Sequence, residues 1–424
     1  MPPVSPSSAS PTSASSKQSR SRGSRNQRTK PVPHEQPEPP DPTASPVATS
    51  DQAIPHNPLK LKRDGKAPKG IVLGLGPEVA VIARPDTALP ESGGARVVDI
   101  DYVASYDWKD AIDPTIVVPG TETFVPHPSS PRVWNDRRKP PYVLEPDPGR
   151  RYVDLDAHRL PTYPLLPLFD AADALSARIR WADVDFILDH AVLIRLLVWA
   201  RGATQAFRAD LERAGEGAVL VQRWERAVVE DRSAKGGRLD DAFTRRATKP
   251  ARGVQDSAGH SRVVSYDFFG MRLVVRHRVD ACLPGLTASL TGRTPYEVGS
   301  TPFTSVLVQT AVHARPYVTP DNHVAAYLAG IPYIHVGVVR DSEVQKVHMV
   351  RASAKVAREK HEVALEVLGQ TLERVHDIVL ACGRRGQLSV VCTNDVLKVF
   401  EKAGRACFLP DEVYSRFAGP GDNN

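Results

Sequence analysis

The stretch "SRVVSYDFFGMRLVVRHRVDACL", from Ser261 to Leu283, holds two runs rich in β-branched and aromatic residues, split by "FFG". Runs of that composition around so short a turn form an antiparallel hairpin, and a hairpin this long belongs to a sheet. In the second arm, alternation places Val275, His277, Val279 and Ala281 on one face. Arg276, Arg278 and Asp280 share the other. One face therefore presents two guanidinium groups and a carboxylate from the middle of an apolar run. Taken alone, it fits an active site, a converted active site or a salt-bridged strand.

Other strands and helices surround this hairpin. "FTSVLVQTAVHA" and "QLSVVC" read as strands, "PTIVVPG" as a shorter one, and "YLAGIPYIHVGVVR" as a helix end running into a strand. "WADVDFILDHAVLIRLLVWA" leads from a short strand into an amphipathic helix. The longest element runs from Arg351 to about Ala381. Val356, Val363, Leu365, Val367, Leu368, Leu372, Val375, Ile378 and Val379 recur there at helical spacing, and Gly383 is a natural stop. Strands interleaved with a few helices predict an α+β, or mixed α/β, domain: a central mixed sheet flanked by helices. The segment from Arg96 to Asp156 reads as proline-rich and irregular. "KGIVLGLGPEVAVIARP" lacks the third small residue of a dinucleotide fingerprint, so its Gly-x-Gly reads as a hairpin-like turn.

From Met1 to about Lys66 the chain is dominated by Ser, Pro, Ala and Thr, with no aromatic residue. Such a segment buries too little to offset the entropy of ordering. The expected organisation is a disordered tail, residues 1–66, and a single folded domain, residues 67–420. Within the tail, Lys17, Arg20, Arg22, Arg25, Arg28 and Lys30 precede any acid, a run suited to RNA phosphates, to nuclear import or to plain solvation. The net charge of +6 owes much to this run, so it hints only mildly at an anionic partner.

No apolar run is long enough to span a bilayer, so no membrane role is expected. The four cysteines, Cys282, Cys382, Cys392 and Cys407, lack CxxC spacing and sit mostly in apolar segments. They read as free, buried thiols without disulfides, in the nucleus or cytoplasm. A P-loop, a G-x-S-x-G elbow and HExxH are all absent. Metal-dependent phosphodiester cleavage needs converging carboxylates, commonly with a lysine near the attacking water. Asp280 supplies one acid, but "VLVQTA" on the next strand supplies neither an acid nor a lysine.

"YVASYDWKDAIDPTIVVPG" (Tyr102 to Gly120), the hairpin, "YLAGIPYIHVGVVRDSEV" and the ending "FLPDEVYSRF" resemble a family of fungal proteins related to the decapping exoribonucleases. The resemblance runs from about residue 100 to residue 417. It implies the PD-(D/E)XK nuclease fold and an activity on RNA 5′ ends, with removal of defective caps or pyrophosphate followed by degradation. Placed on the family's catalytic positions, an expected Arg falls on His190 and a helical acid on Thr244. The Glu-x-Asp pair falls on Arg278 and Asp280, and the acid-x-Lys pair on Leu307 and Gln309. Only Asp280 keeps the chemistry. An Arg in place of an acid changes the local charge by two units, and one unit pair about 4 Å apart interacts by roughly 4 kcal/mol at an effective dielectric near 20.

The resemblance therefore implies a degenerate nuclease-like protein of RNA 5′-end metabolism that acts by binding RNA or a protein partner. Arg276 and Arg278 are candidates for holding phosphate; an Arg278–Asp280 ion pair is the plainer reading of the same face. No cofactor is expected. The alternatives are an active hydrolase with rearranged ligands, using Mg²⁺ or Mn²⁺ at Asp280, and a non-catalytic interaction scaffold.

Overall fold

The computed structural model describes residues 70–85, 96–118, 132–135, 139–145, 150–203, 205–225, 228–230, 239–250, 257–283, 307–313, 318–383, 386–404 and 406–418. All of these fall in one compact unit, Pro55–Asn424. The basic tail, with Arg20, Arg22, Arg25 and Arg28, lies outside them.

The hairpin is the middle of a ten-stranded sheet. Ser257–Phe268 and Met271–Val279 pair antiparallel across Phe269 and Gly270, both in the left-handed region at φ 59° and 76°. Two successive positive φ values give the turn a twist that matches its strands. Outward from Ser257–Phe268 lie Val97–Lys109 and the short Ile116–Val117. On the other side Met271–Val279 pairs parallel with Phe186–Asp189, which pairs parallel with Ala218–Arg223. Phe207–Ala214, Gln387–Thr393, Val396–Lys402 and Leu75–Ile82 complete the sheet.

Beyond Val279 the chain leaves this sheet at Asp280 and enters a seven-stranded one through Ala281–Cys282. There Leu307–His313, Tyr333–Arg340 and Glu343–Arg351 lie side by side. Both sheets mix parallel and antiparallel pairs, as the expected mixed sheet requires.

Each face of the large sheet has its own apolar layer. On one, Leu193 and Leu197 of helix His190–Ala200 meet Leu368 and Leu372 of helix Ala354–Ala381 above Val275 and Val264. On the other, Phe169 of helix Leu166–Ala174, Trp181 and Phe417 cover Tyr106 and Val274. The long helix starts where the Ser353 side chain accepts from Val356 N at 3.2 Å and stops at Gly383, φ 78°. Val363 departs from its expected core position and is 44% exposed.

Gly369 of this helix meets the hairpin tip, where an added Cβ would stand 2.5 Å from the Phe269 ring. Overpacking of this kind costs about 1–3 kcal/mol, so Gly369→Ala should lower the urea midpoint accordingly. An unchanged midpoint would mean that the tip yields without cost.

Three expectations need correction. Val97–Lys109 is a thirteen-residue strand inside the supposedly irregular segment; Asp99, Asp101 and Asp107 break its apolar pattern. The Gly-x-Gly is no hairpin turn: residues 70–74 form the turn, and Leu75–Ile82 is an edge strand paired with distant Val396–Lys402. All four cysteines are free, but Cys382 is exposed and Cys407 only partly covered. No described helix is long and apolar enough to cross a membrane.

Candidate binding cavity

The parallel strands Phe186–Asp189 and Met271–Val279 run side by side, with Asp189 in register with Arg276. Past their carboxyl ends, where open sheets with parallel strands commonly receive ligands, lies a cavity of about 250 Å³. Its walls come from Tyr152–Asp156, Asp189–Ala191 and Arg276–Arg278, joined by Arg223 and Ser261. Three acids and three arginines thus face one small space.

Arg276 is the hub. It is 3% exposed, and its Nε and Nη2 donate to the two Asp189 carboxylate oxygens at 2.7 and 3.1 Å. Nη1 donates to the Pro164 carbonyl at 2.6 Å and to Tyr106 Oη at 3.3 Å, and stands 3.3 Å from Asp156 Oδ2. Asp156 Oδ1 accepts from Tyr106 Oη at 2.6 Å and Trp108 Nε1 at 2.9 Å. The expectation that Arg276 offers its guanidinium to phosphate is therefore replaced, because all three of its nitrogens are already engaged. Arg278, two residues on along the same face, is exposed, with no hydrogen bond or ion pair from its guanidinium among the described residues.

Burial would raise the Asp189 carboxyl, but the Arg276 guanidinium overrides it and holds the group below the usual carboxylate range. Burial likewise opposes the Arg276 charge, which Asp156 and Asp189 sustain. Asp154 caps the short helix Leu155–Arg159 by accepting from Ala157 N at 2.9 Å. Burial, then the Asp189 carboxylate, push its own carboxyl up to about 6, against the pull of Arg223, whose Nη1 is 4.0 Å from Asp154 Oδ2. Arg223 is itself shared with Glu225, which also pairs with Arg195.

Because the folded pKa of Asp154 lies above its unfolded value near 3.8, the neutral form stabilises the fold at low pH. That contribution is lost as pH rises through about 6. Asparagine keeps the cap without the charge. Asp154→Asn should therefore match wild type near pH 4 and exceed it by on the order of 2 kcal/mol at pH 8, measured by urea unfolding across pH. A stability difference independent of pH would rule this out.

Two histidines are among the lining residues. His190 Nε2 donates to the Ala325 carbonyl at 2.9 Å, and burial pushes its pKa down to about 4. His277 is 4% exposed, and neither ring nitrogen has a hydrogen-bond partner among the described residues.

The sequence-predicted positions are thus only partly brought together. His190, Arg276 and Arg278 line the cavity. Asp280 stands at the crossing between the sheets, outside the lining. Thr244 lies on helix Leu239–Ala247, whose Phe243 packs on Trp134 and against Gly337 of the second sheet. Leu307 and Gln309 are on strand Leu307–His313 of that sheet. The acids the cavity does gather, Asp154, Asp156 and Asp189, are missed by sequence reasoning. Their signals were an Asp-x-Asp ahead of a short helix and an Asp closing the apolar run "FILD".

A divalent cation does not fit here. Asp189 has both oxygens on Arg276, Asp156 is shared among Tyr106, Trp108 and Arg276, and Asp154 caps a helix. The guanidinium fills the gap between carboxylates that a cation would need. Among the described residues no three His, Cys, Asp or Glu side chains are grouped to hold a metal.

Among solved structures, the chain is similar to Rai1 of S. pombe in complex with 3′-FADP. The two are 13% identical, with 74% of this chain and 97% of that one covered and a TM-score of 0.52. It also matches K. lactis Dxo1 in complex with manganese (8% identity, 79% and 96% covered, TM-score 0.47). Candida albicans Rai1 in complex with pU5-Mn²⁺ matches at 11% identity, with 78% and 95% covered and a TM-score of 0.43. No curated protein matches the sequence. The likeness to S. pombe Rai1 is one of fold: a large mixed sheet with helices on its faces. A family profile matches residues 87–322, more than half of the chain, and the chain belongs to that family, described as a domain of unknown function, DUF8563.

Proposed function

We propose that this protein is a non-hydrolytic binder of phosphate-bearing RNA 5′ ends, built on the decapping-nuclease fold. One observation carries the reading: Arg276 occupies the space between Asp189 and Asp156, while Arg278 stays exposed at the same cavity. The first feature removes the place for a dication, and the second leaves a guanidinium fork free for phosphate oxygens. The fold likeness supports the ligand class, since S. pombe Rai1 is in complex with 3′-FADP, a phosphate-bearing nucleotide. In this reading Arg20, Arg22, Arg25 and Arg28 of the tail add sequence-independent contacts to the following phosphates.

The test is binding of a 5′-phosphorylated oligoribonucleotide at several salt concentrations. Arg278→Ala should weaken binding about tenfold, equivalent to ~1.4 kcal/mol, and lower the salt slope by about one. An exposed side chain of this kind should leave the unfolding midpoint within about 0.5 kcal/mol of wild type. Absence of binding at low salt, or indifference to the Arg278 change, would overturn the reading.

A further inference from the structure

Tyr152 is an aromatic residue of the cavity wall that core packing does not explain. It is half-buried and belongs to neither apolar layer of the large sheet. Its ring packs instead against His158, with centroids 4.8 Å apart and planes tilted by 35°. Local anchors hold both rings in place. Tyr152 ends the short strand Arg150–Tyr152, which pairs with Val228–Glu230. The next carbonyl, that of Val153, accepts from Arg223 Nη1 at 3.2 Å. His158 sits in the last turn of the helix that Asp154 caps, and its N–H donates to the Asp154 carbonyl at 3.1 Å. Arg278 reaches the same wall. It stands opposite Ser261 across the hairpin, so it shares one face of the sheet with Ser261 and Gly259. A Cβ placed on Gly259 would be 3.1 Å from Leu155 Cδ2 and 4.0 Å from Arg278 Nε. The arginine therefore crosses bare backbone next to Leu155, the residue three on from Tyr152. An exposed cation and a half-buried aromatic ring thus border one cavity of about 250 Å³, small for a ligand site and suited to a single nucleotide.

We infer that the face of Tyr152 turned away from His158 is a stacking platform for the base of the nucleotide whose phosphate Arg278 holds. Every nucleobase has a flat π face, so such a platform favours nucleotides over simple phosphates while tolerating any base. The imidazole behind the phenol fixes the ring before the ligand arrives, which lowers the entropy lost on binding. The inference rests on the phosphate-binding reading above and deepens it: the ligand class becomes a 5′-nucleotide rather than any phosphate ester.

Calorimetric titration of the full chain with ribose 5-phosphate, adenosine 5′-monophosphate and uridine 5′-monophosphate separates the two. Wild type should bind both nucleotides more tightly than the sugar phosphate, the adenosine nucleotide by about tenfold. Tyr152→Leu keeps apolar bulk without the π face. It should reduce adenosine nucleotide affinity to that of ribose 5-phosphate, whose own affinity should be unchanged and so reports an intact cavity. Tyr152→Phe should retain the full preference, because stacking needs the ring and not the hydroxyl. If nucleotides and sugar phosphate bind wild type equally, or Tyr152→Leu keeps the preference, the inference fails and the phosphate reading stands. Equal losses for nucleotide and sugar phosphate in Tyr152→Leu would make the ring a structural wall and overturn the inference as well. Loss of the preference in Tyr152→Phe would also overturn it, pointing to a hydrogen bond from the hydroxyl. If none of the three ligands binds, the phosphate reading fails and the inference with it.

Discussion

Replacing Arg276 by alanine is expected to destabilise the protein by about 3–5 kcal/mol, the range for breaking a buried ion pair from one side. The size follows from what the guanidinium leaves behind. Asp189 and Asp156 are 7% and 6% exposed, and both would be left buried without their principal counter-charge. Tyr106 and the Pro164 carbonyl would each lose a hydrogen bond as well. Arg276→Lys should recover only part of the loss, because a point charge cannot serve both Asp189 oxygens and Pro164 at once. Urea unfolding at pH 7 measures both. A loss under about 1 kcal/mol for the alanine variant would mean that water or rearrangement satisfies these acids, and that Arg276 is no hub.

Glu212→Ala should have the second large effect, about 3 kcal/mol or more, by a similar route on another strand of the sheet. Glu212 is fully buried on strand Phe207–Ala214, and burial raises its carboxyl pKa. It accepts from Tyr414 Oη at 2.5 Å, from Phe408 N at 2.8 Å and from Gln387 Nε2 at 3.0 Å. These bonds fasten the last described segment, whose Phe408, Val413 and Phe417 complete the apolar layer around Phe169 and Trp181. Without the carboxylate, two buried donors lose an acceptor, and the segment should open before the rest. Limited proteolysis should then cut near Phe408 under conditions where wild type is intact. Equal urea midpoints and equal proteolysis would show that apolar packing alone holds the segment.

How much of this was legible in the sequence follows from which contacts are local. The hairpin declares itself because its two arms and its turn are contiguous, and the long helix because its apolar spacing repeats. The strand Val97–Lys109 did not, because its pairing with Ser257–Phe268 lies far along the chain and bulges interrupt its register. The cavity was harder still. Asp154, Asp156, Asp189 and Arg276 sit on three separate segments, joined only when parallel strands align Asp189 with Arg276. Sequence spacing placed Arg276 and Arg278 on one strand face, yet could not show that one is buried in an ion cluster and the other exposed.

The proposed role, holding an RNA 5′ end without hydrolysing it, makes a direct prediction about product formation. The most direct test incubates 5′-triphosphate and capped RNA with the full chain, with and without Mn²⁺, beside Asp189→Asn and Asp280→Asn. No metal-dependent product is expected from any of the three, together with salt-sensitive binding of the same RNAs by wild type. Metal-dependent product from wild type that disappears in either variant would contradict it and show a working hydrolytic site.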